Sequence, residues 1–318
     1  MTRRVALGML WAAAGLGATA PGGSGRGGAS AAEVDAAAAA AEASAGASID
    51  FLETQAFKAY ADMDFQLTVQ LLDKIVQRAP PSEFKWVEFR AAVRTDMKDF
   101  RGSLEDYDAA LRTARGLGEG AALDVPRLLA GRALTREGLS DWAGALADYE
   151  GATAEAARVG LEDDPYLLNS MGNVKASLAE WEDARAYYLA AFGVFQGARG
   201  FYDVSTGTTS FARQDGAVFA ASNAALMLAQ LGDLEGALGE ADRIVRKAPG
   251  SVDMRAAVAA LRWARGDAPL AEASWEFACD RIAVGCDKYR DLEWLRVVRR
   301  WPPRMVGLMA DFLALRGG

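Results

Sequence analysis

Trp142-Ala143-Gly144-Ala145-Leu146-Ala147-Asp148-Tyr149-Glu150-Gly151-Ala152 is one copy of a phrase that runs through most of the chain. An aromatic residue leads, a small residue with an aliphatic neighbour follows, and an aromatic and a second small residue come after at helical steps. The same phrase reads Phe65-x-x-Thr68-Val69-x-x-Leu72-x-x-Ile75, then Phe100-x-x-Ser103-Leu104-x-x-Tyr107-x-x-Ala110. It returns as Trp181-x-x-Ala184-Arg185-x-x-Tyr188-x-x-Ala191 and as Leu234-x-x-Ala237-Leu238-x-x-Ala241-x-x-Ile244. A looser sixth copy passes through Leu270, Ala271, Trp275 and Ala278. Apolar residues at these intervals form one stripe on a helix. Each copy therefore predicts a helix buried along one face, with its small residue where a partner helix comes closest.

The small residues Thr68, Ser103, Ala145, Ala184, Ala237 and Ala271 are separated by 35, 42, 39, 53 and 34 positions. Gly232-Asp233, Gly266-Asp267 and Met63-Asp64 stand just ahead of three copies. A glycine there closes the preceding helix, and the aspartate caps the next one. Pro80 and Pro249 each fall twelve residues after a small residue, where proline stops the helix.

These features resemble the tetratricopeptide repeat (TPR), whose period is about 34 residues. The resemblance spans roughly residues 55–280, and the copy with Leu168, Gly172, Trp181, Ala184 and Tyr188 is nearest to the family pattern. It implies an all-α fold, a TPR-like helical-hairpin solenoid of about five to six repeats with a C-terminal helical cap. The expected organisation is a solenoid over 51–280 with an insertion loop at 195–217, and capping helices over 281–318. The longer spacings around Ala145 and Ala184 predict extended helices there.

Composition narrows the chemistry. Hydrophobic residues make up 51% and charged ones 25% of the 318, the balance of a soluble globular chain. There is no histidine and there are two cysteines. A histidine base, a histidine-ligated metal and a four-thiolate zinc site are thereby excluded. A net charge of -8 argues against nucleic acid, which needs clustered Lys and Arg. The reading is a protein that is not an enzyme and carries no cofactor.

The start of the chain reads as an export signal. Thr2-Arg3-Arg4 precedes an uncharged apolar run, Val5 to Ala20, and Ala29-Ser30-Ala31 offers a cleavage site. The paired arginines resemble a twin-arginine signal. Cleavage after Ala31 leaves 32 positive residues against 43 negative, a net charge of -11. Residues 32–50 read as an Ala-rich linker. The whole chain resembles the lumenal TPR proteins of chloroplasts and cyanobacteria. The stretches Tyr289-Arg290-Asp291-x-x-Trp294-Leu295 and Arg299-Arg300-Trp301-Pro302-Pro303 are the expected family marks. The implied place is the thylakoid lumen, or a bacterial periplasm if the source is a prokaryote. A plastid protein would carry a transit peptide ahead of the arginines, so its start would be truncated.

Three regions are candidates for partner contact. The first is the groove lined by the first helix of each pair, with Tyr166, Asn169, Asn173, Phe219 and Asn223. Asn173 and Asn223 match the two asparagines of the family's carboxylate clamp. The clamp's cations would fall on Asn169, Asp253 and Ala257, so no Hsp70/Hsp90-type clamp is expected. A neutral or basic segment suits this acidic chain better. The second region is the insertion, with Arg199, Phe201 and Tyr202, because long loops inside compact proteins are often functional. The third is the tail, where Trp294, Arg299, Arg300 and Trp301 carry the residue types of interface hot spots. Capping of the last repeat is the alternative for the tail.

Cys279 and Cys286 would lie roughly 10 Å apart in a straight helix, too far for a disulfide. A turn at Gly285 would bring them together in an exported protein; otherwise they are two buried free thiols. The expected function is a scaffold that binds protein segments, as an assembly or maintenance factor for a membrane (photosynthetic) complex. Contact with the membrane would run only through such partners. The alternative is a TPR module holding a small hydrophobic ligand or pigment near Trp181, Phe201 and Tyr202.

Overall fold

The structure is a computed structural model that describes residues 48–197, 200–205, 208–211, 214–282 and 285–314. The export signal, most of the Ala-rich linker and Arg199 lie outside the described residues. The fold is all-α, a solenoid of helical hairpins, and it divides into two compact units.

The first unit holds three helix pairs: α1 (Ile49–Ala61) with α2 (Phe65–Arg78), α3 (Lys85–Asp96) with α4 (Phe100–Gly116), and α5 (Asp124–Gly138) with α6 (Trp142–Arg158). Residues 202–205 and Thr208 group with this unit. The linker expected to reach residue 50 stops earlier, because the Ser48 hydroxyl accepts from the Phe51 amide and starts α1 at Ile49. The second unit holds α7 (Pro165–Ser177) with α8 (Trp181–Gly197), α9 (Gln214–Leu231) with α10 (Leu234–Lys247), and α11 (Val252–Ala264) with α12 (Ala268–Asp280). It closes with two further helices, α13 (Leu292–Val297) and α14 (Pro303–Ala314).

The turns inside the pairs share one construction. A residue with left-handed backbone ends the first helix: Met63, Lys98, Ser140, Ala179, Gly232 or Gly266. An acidic residue follows, and Asp64, Asp99, Asp141 and Asp233 each accept an amide of the second helix's first turn at 2.8–3.1 Å. Such a cap satisfies one of the orphan amides of a helix N-terminus, an effect of about 1 kcal/mol.

The small residues lie on the buried face of each second helix. Thr68, Ser103, Ala145, Ala184, Ala237 and Ala271 all have no exposed surface. The long spacings reflect longer helices, since α4 and α6 have 17 residues where α2 and α10 have 14 and α5 has 15 where α3 has 12, and the spacing of 53 also contains the stretch between α8 and α9. Gly172 in α7 lies against the Tyr188 ring, so that a Cβ there would stand 2.6 Å from it. Gly172→Ala should therefore cost about 1–3 kcal/mol through overpacking, measured by thermal denaturation. A shift below the error of the melt would mean that Tyr188 moves aside freely.

The expected insertion loop is shorter than its sequence suggests. Helix α8 continues through Phe195 to Gly197, and α9 begins at Gln214. Between them β1 (Gly200–Asp203) and β2 (Thr208–Phe211) pair as a two-stranded sheet. Aromatic and β-branched residues such as Phe201, Tyr202, Thr208 and Thr209 favour a pleated strand. Phe195 is buried, packs edge-on to Tyr166 at 5.3 Å and fills the space over Gly216.

Candidate binding groove

The first-helix face formed by α9 and α11 is already occupied, and its occupant is the chain's own tail. Asp253 stands in the first turn of α11, below a Ser251 cap. The Arg299 guanidinium donates to both Asp253 oxygens, Nε to Oδ1 at 2.8 Å and Nη2 to Oδ2 at 2.6 Å. Its Nη1 donates to Asn223 Oδ1 of α9 at 3.0 Å, and its plane lies 4.9 Å from the centre of the Phe219 ring. Trp301 Nε1 donates to the same Asp253 Oδ1 at 3.1 Å. Arg300, between them, takes a left-handed φ of 58°, so both neighbours reach one carboxylate.

Burial pulls the Arg299 guanidinium toward losing its proton, but the Asp253 carboxylate outweighs that and holds it above its ordinary value. The pair is charged and bidentate, the stronger class of hydrogen bond. Tyr289 closes the site. Its ring lies edge-on to Trp294 at 5.4 Å and tilted against Trp301 at 6.1 Å. Burial, and then the nearby Asp253 charge, push its hydroxyl well above the usual range.

The tail continues across the same face. The Arg304 amide donates to Gln230 Oε1 of α9 at 2.9 Å. Met305, Met309 and Phe312 of α14 are fully buried, and Phe312 meets Trp275 of α12 edge-on at 5.7 Å. Capping of the last pair and filling of the groove are thus one event.

Several sequence expectations are corrected by this arrangement. Asn223 does not face a vacant groove: it is 4% exposed and holds Arg299. Arg299 and Trp301 are not an outward docking patch, because Asp253 and the apolar core draw them inward; Trp301 is 2% exposed. Trp294 is half-buried against Tyr289. Arg300 is half-buried too. Asn173 Oδ1 accepts from the Tyr188 hydroxyl at 2.9 Å, which ties it to α8. Asn169 Oδ1 is enclosed without a hydrogen-bond partner among the described residues. Phe219 keeps 44% of its surface. Phe201 and Tyr202 lie in β1. The two readings left open for the cysteines resolve to the first: Cys279 and Cys286 form a disulfide with Cα atoms 4.6 Å apart, because α12 ends at Asp280 and Gly285 turns the chain back with φ 68°.

The groove's key carboxylate, Asp253, was absent from the sequence-based site. Its signal was the Arg299-x-Trp301 pair, a cation and an indole donor two residues apart that require one acceptor once both are buried.

No protein-family model matches the chain, and no curated protein is detectably similar to it. Solved structures are similar in fold. The apo form of RapI covers 85% of this chain and 99% of its own, at 12% identity and a TM-score of 0.59. A tetratricopeptide repeat protein from Parabacteroides merdae covers 85% and 87%, at 13% identity and 0.55. BtubC from P. vanneervenii covers 76% and 87%, at 19% identity and 0.51. The fold is that of a TPR solenoid. At these identities the likeness concerns the fold alone.

In the first unit two TPR pairs carry a repeated ion-pair ladder. Arg90 holds Asp106 with two hydrogen bonds (2.9 and 2.6 Å) and reaches back to Asp73 at 2.7 Å, while Arg94 adds a bond to Asp106 at 2.8 Å. Forty-two residues on, Arg132 holds Asp148 (2.8 and 2.6 Å) and reaches Asp108 at 2.7 Å, with Arg136 adding 2.9 Å. Asp106 and Asp148 are 4% and 3% exposed. A cleft of about 350 Å³ beside the second rung is lined by Arg115, Leu129, Gly151 and Arg158. Among the described residues no group of acidic residues and cysteines is placed to hold a metal, and no helix is long and apolar enough to cross a membrane.

Proposed function

We propose that this chain is a non-catalytic scaffold that holds segments of partner proteins on the first-helix faces of its TPR pairs. The observation that carries this reading is the filled groove. A non-helical stretch, 299–302, lies on that face and is gripped by Asp253, Asn223 and Phe219 through one arginine and one tryptophan. A surface that grips its own segment in this way has the chemistry to grip another: a bidentate carboxylate, an amide acceptor and an aromatic plane. The fitting ligand is a neutral or basic segment with an arginine near an aromatic residue, in keeping with a net charge of -8.

The finer proposal is an assembly or maintenance factor for a membrane complex, acting in an exported compartment such as the thylakoid lumen or a periplasm. Arg3-Arg4, the apolar run and Ala29-Ser30-Ala31 support export. The Cys279–Cys286 disulfide suits an oxidising compartment.

The test is a titration of a labelled peptide spanning residues 296–304 onto the full chain carrying Arg299→Ala. Binding with Kd roughly 1–100 µM is expected, weakened at least tenfold when Asp253→Ala is added. Absence of binding at millimolar peptide would sink the groove as a recognition site.

A further inference from the structure

We propose that the Cys279–Cys286 disulfide is a redox latch that keeps the tail in the groove. The inference rests on reading that groove as a recognition site. Cys279 is the penultimate residue of α12, and Cys286 opens the segment that leads into the tail. Three residues past Cys286, Tyr289 packs against Trp294 and Trp301 and faces the carboxylate that Arg299 and Trp301 share. The far end of the tail returns to the same helix, since Phe312 rests on Trp275. The disulfide therefore ties the front of the tail to α12, and Trp275 receives its back.

Cys279 is partly exposed, so a dithiol can reach it, while Cys286 is 2% exposed. Reduction consumes two electrons and two protons from a dithiol: the S–S bond breaks, two thiols form, and the reductant leaves as its own disulfide. No other sulfur competes, because the chain has two cysteines. Once cut, Cys286 is no longer tied to α12, and Tyr289 loses its anchor three residues away. Arg299, Trp301, Leu295 and α14 then hold the tail without a covalent tie. Releasing a loop of this size raises the undocked population by on the order of 10- to 100-fold.

The experiment compares hydrogen exchange of the oxidised full chain with that of the chain under a dithiol reductant, and adds the 296–304 peptide in both states. Amides of 287–303 are expected to exchange at least tenfold faster on reduction, with α2 and α4 unchanged, and peptide binding should strengthen in step. Cys279→Ser/Cys286→Ser should behave as the reduced chain without reductant. Unchanged exchange overturns the latch. If Arg299→Ala binds the peptide while reduction leaves binding as it was, the latch falls and the groove stands. If Arg299→Ala binds nothing although exchange rises, the groove reading falls and the disulfide is a tether of the tail that gates no recognition site.

Discussion

Asp253→Ala should destabilise the second unit by about 3 kcal/mol, because it leaves the Arg299 guanidinium inside the protein without its counter-charge. The side chains of Arg299 and Asp253 are 10% and 17% exposed, so water can replace little of the lost interaction. Trp301 loses its acceptor in the same step. For a unit of this size the melting temperature should fall by roughly 6–12 °C. Arg299→Ala in the same background should restore part of the loss, since removing both charges leaves no buried ion unpaired. A fall below roughly 2 °C in the single variant would mean that the pair contributes nothing net and that α14 alone holds the tail.

Trp275→Ala should cost about as much or more, about 3–5 kcal/mol, by opening a cavity where α12 and α14 meet. Trp275 is 1% exposed and the largest of the fully buried side chains, with Phe312 against one edge and the Arg290 guanidinium 5.7 Å from its ring centre. Hydrogen exchange should speed up first in α14 (Pro303–Ala314), which lands on this indole. Phe51→Ala is the matched control. Phe51 is 51% exposed, and its loss should stay within about 0.5 kcal/mol. Equal losses from the two variants would remove the argument from burial.

The hairpins were legible because their cause is local. A helix that buries one stripe must repeat apolar residues at its own period, and a pair in close contact must place a small residue at the crossing. Thr68, Ser103 and Ala145 are the small residues of such buried faces. The turns were half legible. Gly232 and Gly266 announce a left-handed residue, but Lys98, Ser140 and Ala179 adopt the same conformation without a compositional sign.

The groove was legible as a face and not as an occupied one. Asn223 and Arg299 were both singled out, as members of separate sites. They are 76 residues apart and bond to one another. Periodicity reports which side of a helix is buried and says nothing of which distant segment buries it. The ladder escaped for a related reason. Arg90 and Asp106 look like surface charges until the crossing of α3 and α4 places one beneath the other.

That ladder gives the first unit a property of interlocking tiles. Asp73, Asp108 and Glu150 occupy the same place in successive second helices, five residues past Thr68, Ser103 and Ala145. The first two blocks thus offer, at their trailing edges, the acid that the arginine of the following block holds, as Asp73 serves Arg90 and Asp108 serves Arg132. A copy of residues 100–141 spliced in after Asp141 would keep two acids for each Arg132 rung. The unit can thus grow by a whole tile without losing the ladder.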